Sequence, residues 1–146
     1  MTRSDSLDNG AATRRKRILF VCTHNSARSQ MSEGWMNFLY GDRYEAFSAG
    51  TAPSRVDSRA IQVMAEAGID LSRHRSKSLD EFQGMEFDYV VTVCDRAKGI
   101  CPSFPGGKVI LHQAFDDPAP LTGAESLSDF RRIRDEIKNW LEKTFD

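Results

Sequence analysis

The sequence predicts a single α/β domain with a four-stranded parallel sheet flanked by helices. Three observations point there. Strand-like apolar runs alternate with helical repeats along the chain, the longest of those runs is nearly continuous rather than alternating, and 146 residues suffice to bury one core without disulfide staples. Residues 17–22 read as the first strand. Residues 28–40 read as a helix with Met31, Trp35, Phe38 and Leu39 on its apolar face. A short strand at 43–48 leads into Ser48-Ala49-Gly50. Asp57 then caps a helix over 58–67, carrying Ile61, Met64 and Ala65 and stopped by Gly68. Residues 79–82 form a short helix. Phe87 to Val93 reads as a strand covered on both faces, and 108–111 as the fourth strand. The last helix, 123–144, spaces Leu127, Phe130, Ile133, Ile137, Trp140 and Leu141 helically, with Thr122 and Glu125 as a capping box. Both tryptophans read as core.

Chemistry concentrates in Cys22-Thr23-His24-Asn25-Ser26-Ala27-Arg28-Ser29, where the first strand turns into the first helix. A turn entering a helix aims several backbone N–H groups at one spot, and the helix dipole adds positive charge there. A tetrahedral oxyanion fits such a nest, held by residues 23–29, with Cys22 beneath it as nucleophile and Arg28 offering two planar donors. The same field favours the thiolate, which is the reactive form of cysteine. A lone cysteine at a strand end is more often a buried core residue, but the Cys-x5-Arg-Ser spacing at this junction favours the nest.

Two further groups belong to the same sheet edge. Cys94 ends the Phe87–Val93 strand, and Asp116-Asp117-Pro118 follows the fourth strand, so both lie at the carboxyl edge with Cys22, where α/β ligand sites form. If the first and third strands are neighbours, their ends are about 5 Å apart and Cys94 comes within reach of Cys22. Proline after Asp117 disfavours helix there and presents Asp117 over the nest as a general acid, although Asp-Pro alone also starts ordinary surface turns. Cys94 and Cys101 stand about 10.5 Å apart if the segment between them is helical. A disulfide needs Cα atoms within about 7 Å, so forming one would require that segment to unwind. Gly99 and Pro102 make it easy to melt. Zinc ligation with His24, His74 or His112 is disfavoured by the C-x6-C spacing, and two inert core cysteines are the plainest alternative.

The overall balance excludes several classes. Residues 1–17 are +3 and the remainder −4, for a net of −1, so nothing calls for nucleic acid or a membrane surface. Thr13-Arg14-Arg15-Lys16-Arg17 reads as part of a solvated, disordered basic tail over 1–15, ahead of a domain spanning 16–146. No apolar stretch is long enough for a signal peptide or membrane span, which implies a cytoplasmic protein, and three cysteines there suit chemistry better than stapling.

On these residues the chain resembles the arsenate reductases of the low-molecular-weight protein tyrosine phosphatase fold, in their thioredoxin-coupled branch. The resemblance runs from Arg17 to the C-terminus. It rests on Cys22-Thr23-x-Asn25-Ser26-x-Arg28-Ser29-Gln30-Met31, on Val93-Cys94 with Cys101-Pro102, and on Phe115-Asp116-Asp117-Pro118-Ala119. The resemblance implies that Cys22 attacks arsenate while Arg28 and the loop amides hold its oxygens and Asp117 protonates the leaving hydroxide. It implies that Cys94 then attacks Cys22 and releases arsenite, and that Cys101 attacks Cys94 and carries the disulfide to thioredoxin. Ser29 would stabilise the thiolate and Asn25 the shape of the loop. It implies no metal or organic cofactor and a monomer.

The chain departs from its relatives at several places. His24 stands where many relatives have glycine, Ala27 removes an extra loop cysteine, and Gln113 replaces an aromatic residue. Some relatives hold potassium with the stretch matching Ser72–Lys77; with Arg75 and Lys77 there, no such site is expected. Two other functions share the motif. A phosphatase would use Cys22, Arg28 and Asp117 without Cys94, but Ala119 replaces the tyrosine typical of phosphatases in this fold. A redox or oxyanion sensor would have no need of Asp117 as an acid.

Overall fold

Four parallel strands in the order β2-β1-β3-β4 form one sheet: β1 (Lys16–Cys22), β2 (Tyr44–Gly50), β3 (Phe87–Thr92) and β4 (Gly107–His112). The computed structural model describes residues 14–93, 106–118 and 123–145. Among these described residues three helices, α1 (Arg28–Tyr40), α2 (Ser58–Glu66) and α3 (Gly123–Phe145), accompany the sheet, with a 3-10 turn at Leu79–Phe82. Cys94 and Cys101, Thr122 of the expected capping box, Ala119 and the tail before Arg14 lie outside the described residues.

The apolar runs explain the layering. β1 is paired on both sides, and Ile18 through Val21 are fully buried. α3 presents Phe130, Ile133, Ile137 and Leu141, all fully buried, at three- and four-residue spacing. Phe47, Phe82 and Phe87 pack edge to face at 5.7–5.9 Å, pinning the 3-10 turn against the sheet.

Element ends follow local chemistry. The Asp57 carboxylate accepts from the Arg59 amide at the start of α2. Burial works against that carboxylate's charge, but the Arg59 bonds and the charges of Arg59 and Arg55 prevail and hold its pKa below the unperturbed value. The helix ends in a Schellman turn: Gly68 N–H donates to Ala65 and Ile69 N–H to Met64, with Gly68 at φ +85°.

The apolar face expected for α1 needs correction at Phe38, which is 59% exposed. The first half of the helix is buried all round, Gln30, Ser32 and Gly34 included, whereas the second half rests on Met36 and Tyr40 with Leu39 partly buried. Phe38 projects from the opposite side and covers the edge of Trp35 at 6.1 Å. A Cβ on Gly34 would meet Leu71 at 2.9 Å, so close approach to the segment after α2 places glycine there. Trp35 is core, while Trp140 is only partly buried and packs on Phe115 and Phe145. The edge of β2 is blunted by Asn37, whose amide exchanges two hydrogen bonds with the Ala46 backbone.

Candidate active site

The turn from Cys22 to Arg28 has every carbonyl occupied. Cys22, Thr23, His24 and Ser26 carbonyls accept from the amides of Thr51, Ala52, Ser54 and Asp57, so the segment after β2 runs alongside the turn and extends the β1–β2 pairing beyond the sheet. Asn25 O accepts from the Gln30 side chain, Ala27 O from the Met31 amide and Arg28 O from the Ser32 hydroxyl. Among the described residues, the amides of His24, Asn25, Ser26 and Ala27 donate to no protein acceptor. Carbonyls turned to their partners and four uncommitted N–H groups at the start of a 13-residue helix are the electrostatic pattern of an anion nest.

Asn25 makes this turn possible. It is the one non-glycine described residue with positive φ, at +50°, a region asparagine tolerates better than most residues. Both polar atoms of its buried side chain are engaged: Oδ1 accepts from Gln30 Nε2 at 2.8 Å and from the Lys77 amide at 2.9 Å, while Nδ2 donates to Ser29 Oγ at 2.7 Å. That last bond leaves the Ser29 hydroxyl hydrogen available for the next one. Ser29 Oγ lies 2.9 Å from Cys22 Sγ; with a thiol either atom can donate to the other, but only the hydroxyl can donate to a thiolate. A thiolate accepting that bond is favoured over a thiol.

A second layer locks the first. Gln30 Nε2 also donates to Arg75 O at 2.9 Å, and Gln30 Oε1 lies 3.0 Å from His74 Nδ1. Behind it, the Lys77 ammonium donates to Arg75 O at 2.9 Å and sits 3.7 Å from Glu33 Oε1, which accepts from Ser48. Burial pulls the Lys77 pKa down, reinforced by the Arg75 charge and opposed by Glu33. Lys77 thus places its own cation within the stretch where no potassium site is expected.

Arg28 and Asp117 close the other side. The Arg28 guanidinium donates to Phe115 O at 3.2 Å and lies 3.5 Å from Asp117 Oδ2. Phe115 is itself held by Trp140 and by its amide bond to Val93 O. The resulting small cleft, about 70 Å³, is lined by Cys22, His24, Ser26, Ala27, Arg28, Ser54 and Asp117. His24 Nδ1 lies 3.0 Å from Ala52 O, which can only accept, so the neutral ring carries its proton on Nδ1 and leaves Nε2 free of that bond.

The structure therefore brings together Cys22, the 23–29 turn, Arg28 and Asp117. β1 and β3 are paired neighbours, and Val93, the residue before Cys94, donates its amide to Val21, the residue before Cys22, at 2.9 Å. Sequence reasoning missed the supporting roles of Gln30, His74, Lys77, Glu33 and Ser54. Gln30 and Ser32 offered the one local signal, being polar residues in the turn of α1 that is buried all round.

Gly50 is the tightest point of this assembly. A Cβ there would lie 2.7 Å from Thr23 O and 2.8 Å from Asn25 N, both backbone atoms that cannot swing aside. Gly50→Ala is expected to weaken inorganic phosphate binding by about tenfold to a hundredfold, since displacing a positioned group by about 1 Å has effects of that order. Calorimetric titration checks it, with cooperative thermal unfolding as the control for folding.

A buried thiol under a helix-opening turn, with an arginine and an aspartate on its rim, defines the thiol-nucleophile enzymes that handle tetrahedral oxyanions. This chain belongs to the low molecular weight phosphotyrosine protein phosphatase family, whose sequence profile matches residues 17–146. It is 43% identical over 133 residues to an arsenate reductase of Halalkalibacterium halodurans, covering 90% of this chain and 95% of the relative. It is 42% identical over 129 residues to an arsenate reductase of Staphylococcus aureus, covering 88% and 95%. Among solved structures it is similar to an arsenate reductase in a phosphate-binding state, with a TM-score of 0.78, 31% identity and coverage of 88% and 95%. A low molecular weight protein tyrosine phosphatase from T. tengcongensis matches with a TM-score of 0.70, 28% identity and coverage of 88% and 96%.

Proposed function

We propose that this protein reduces arsenate to arsenite, with Cys22 as nucleophile and electrons drawn through Cys94 and Cys101 from thioredoxin. The observation that carries the reading is the nest itself: four uncommitted amides beside a buried thiol whose serine neighbour lies within hydrogen-bond distance of its sulfur. Relatives more than 40% identical along nearly their whole length are arsenate reductases. The cleft lining also favours a small inorganic oxyanion over an aryl phosphate, because no Phe, Tyr or Trp stands among the described residues that line it.

The chemistry runs in three exchanges. Cys22 Sγ bonds to arsenic while an arsenic–oxygen bond breaks, and Asp117 gives the departing hydroxide a proton so that it leaves as water. Arg28 and the amides of the turn hold the remaining oxygens. Cys94 Sγ then attacks Cys22 Sγ; the sulfur–arsenic bonding pair goes to arsenic, which leaves as arsenite, reduced by two electrons. Cys101 attacks Cys94, frees Cys22 and forms a second disulfide, which the dithiol of thioredoxin reduces. The bond between Val93 and Val21 supports this order, since it joins the residues preceding the first two thiols. One chain carries the whole relay, so a monomer suffices, and the reducing cytoplasm keeps its thiols available. No described helix is long and apolar enough to cross a membrane.

The test is NADPH consumption with thioredoxin and thioredoxin reductase, with and without arsenate. Consumption by the wild type that disappears in Cys94→Ala is the expected result. Hydrolysis of an aryl phosphate that survives Cys94→Ala, without arsenate-dependent consumption, would identify a phosphatase instead.

A further inference from the structure

Beside the catalytic cleft lies a wider recess lined by Ser26, Ser54, Arg55, Val56, Asp57, Ser58 and Arg59, sharing Ser26 and Ser54 with the cleft. The segment that carries Arg55 is strapped to the nest at both ends: Ser54 N–H donates to His24 O at 3.1 Å, and Asp57 N–H to Ser26 O at 2.9 Å. Ser76 Oγ accepts a second bond from Ser54 N–H and donates to His24 O, so the strap is doubled. Arg55 is therefore mounted on the rim rather than carried on a loose loop.

The other charges of the rim are paired. Arg59 grips Asp57 through Nε and a terminal nitrogen at 3.0 and 2.8 Å and lies over the Phe130 ring at 4.7 Å. Arg28 is paired with Asp117. Arg55 is exposed, makes no hydrogen bond or ion pair with a described residue, and acts on Asp57 only through its charge. Among the described residues, three arginines against two aspartates leave one positive charge on the rim, and Arg55 is the one with no described partner.

We propose that Arg55 is a specificity-determining residue, an outer subsite that draws dianionic tetrahedral oxyanions into the nest and favours them over singly charged or neutral ligands. The serine hydroxyls of the recess give a hydrated anion partners along the path from Arg55 to Cys22. The idea rests on the oxyanion reading of the nest but not on what becomes of the anion afterwards. A charge fixed at the rim and absent from the reacting atoms raises local anion concentration and binding without altering the chemical step.

The experiment separates binding from turnover. Protection of Cys22 by inorganic phosphate against a neutral alkylating agent, read by mass spectrometry of the Cys22 peptide, would give the dissociation constant for wild type, Arg55→Gln and Arg55→Lys. At about 20 mM salt, Arg55→Gln is expected to raise that constant about threefold to tenfold, the size of one charge acting on a dianion through water. The difference should shrink at about 300 mM salt, where screening is stronger. Arg55→Lys should stay within about twofold of wild type, because the charge remains. In steady-state arsenate reduction, Arg55→Gln should raise KM and leave kcat unchanged. Equal constants for wild type and Arg55→Gln at low salt, or a difference that salt does not touch, would overturn the subsite. Phosphate binding that depends on Arg55 in a protein that fails to reduce arsenate would sustain the subsite and defeat the reductase reading. Arsenate reduction with Arg55-independent binding would do the reverse.

Discussion

Cys101→Ser is expected to release about one arsenite per chain and then stop. On the proposed relay, the first two exchanges need only Cys22 and Cys94, so arsenic still leaves as arsenite and a Cys22–Cys94 disulfide remains. Without Cys101 no thiol in the chain can attack Cys94, and the bridge stays in the buried nest, where Cys22 is only 3% exposed. Thioredoxin must reach a sulfur to exchange with it, so burial of this bond stops the cycle. A rapid-quench measurement of arsenite, followed by mass spectrometry of the disulfide, reads both halves of the result. Sustained turnover with thioredoxin would remove Cys101 from the relay, and absence of the initial burst would place it earlier in the chemistry.

Arg28→Lys should lower kcat/KM for arsenate by about a hundredfold to a thousandfold, although the positive charge is kept. The guanidinium performs two tasks from one plane: one terminal nitrogen donates to Phe115 O and the other faces Asp117 Oδ2. An ammonium is a single point with a different reach and cannot hold the Phe115–Asp117 segment while offering paired donors to an oxyanion. Loss of one preorganised oxyanion donor has effects of this order on catalysis. Steady-state kinetics give the magnitude, and phosphate protection of Cys22 tells whether binding falls with it. A variant within about tenfold of wild type would mean that the four amides carry the oxyanion without Arg28.

The parts of the molecule that were legible share one property: their signal is local. The apolar run ending at Cys22, the Asp57 cap, the Gly68 stop and the spacing of Phe130, Ile133, Ile137 and Leu141 all lie within a few residues of the structure they specify. The positions of Cys22 and Asp117 at one sheet edge followed because parallel strands put their carboxyl ends together. Phe38 was misread for a physical reason. Periodicity assumes one environment along a helix, and α1 passes from burial on all sides to burial on one.

The sequence by itself determined the cysteine at the strand end, the arginine six residues on, the strand–turn–helix that joins them and the α/β class, because backbone preference and hydrophobic period act over short distances. Only the tertiary structure decided what holds the nest open. The segment after β2 takes four of its carbonyls, the Lys77 amide reaches Asn25 across 52 positions, and Phe115 meets Arg28 across 87. Those partners depend on the order in which the strands pair and on how closely Gly50 lets the turn approach. Hydrogen-bonding groups of a turn accept whatever donor the fold delivers, and no local pattern in the chain specifies which segment will deliver it.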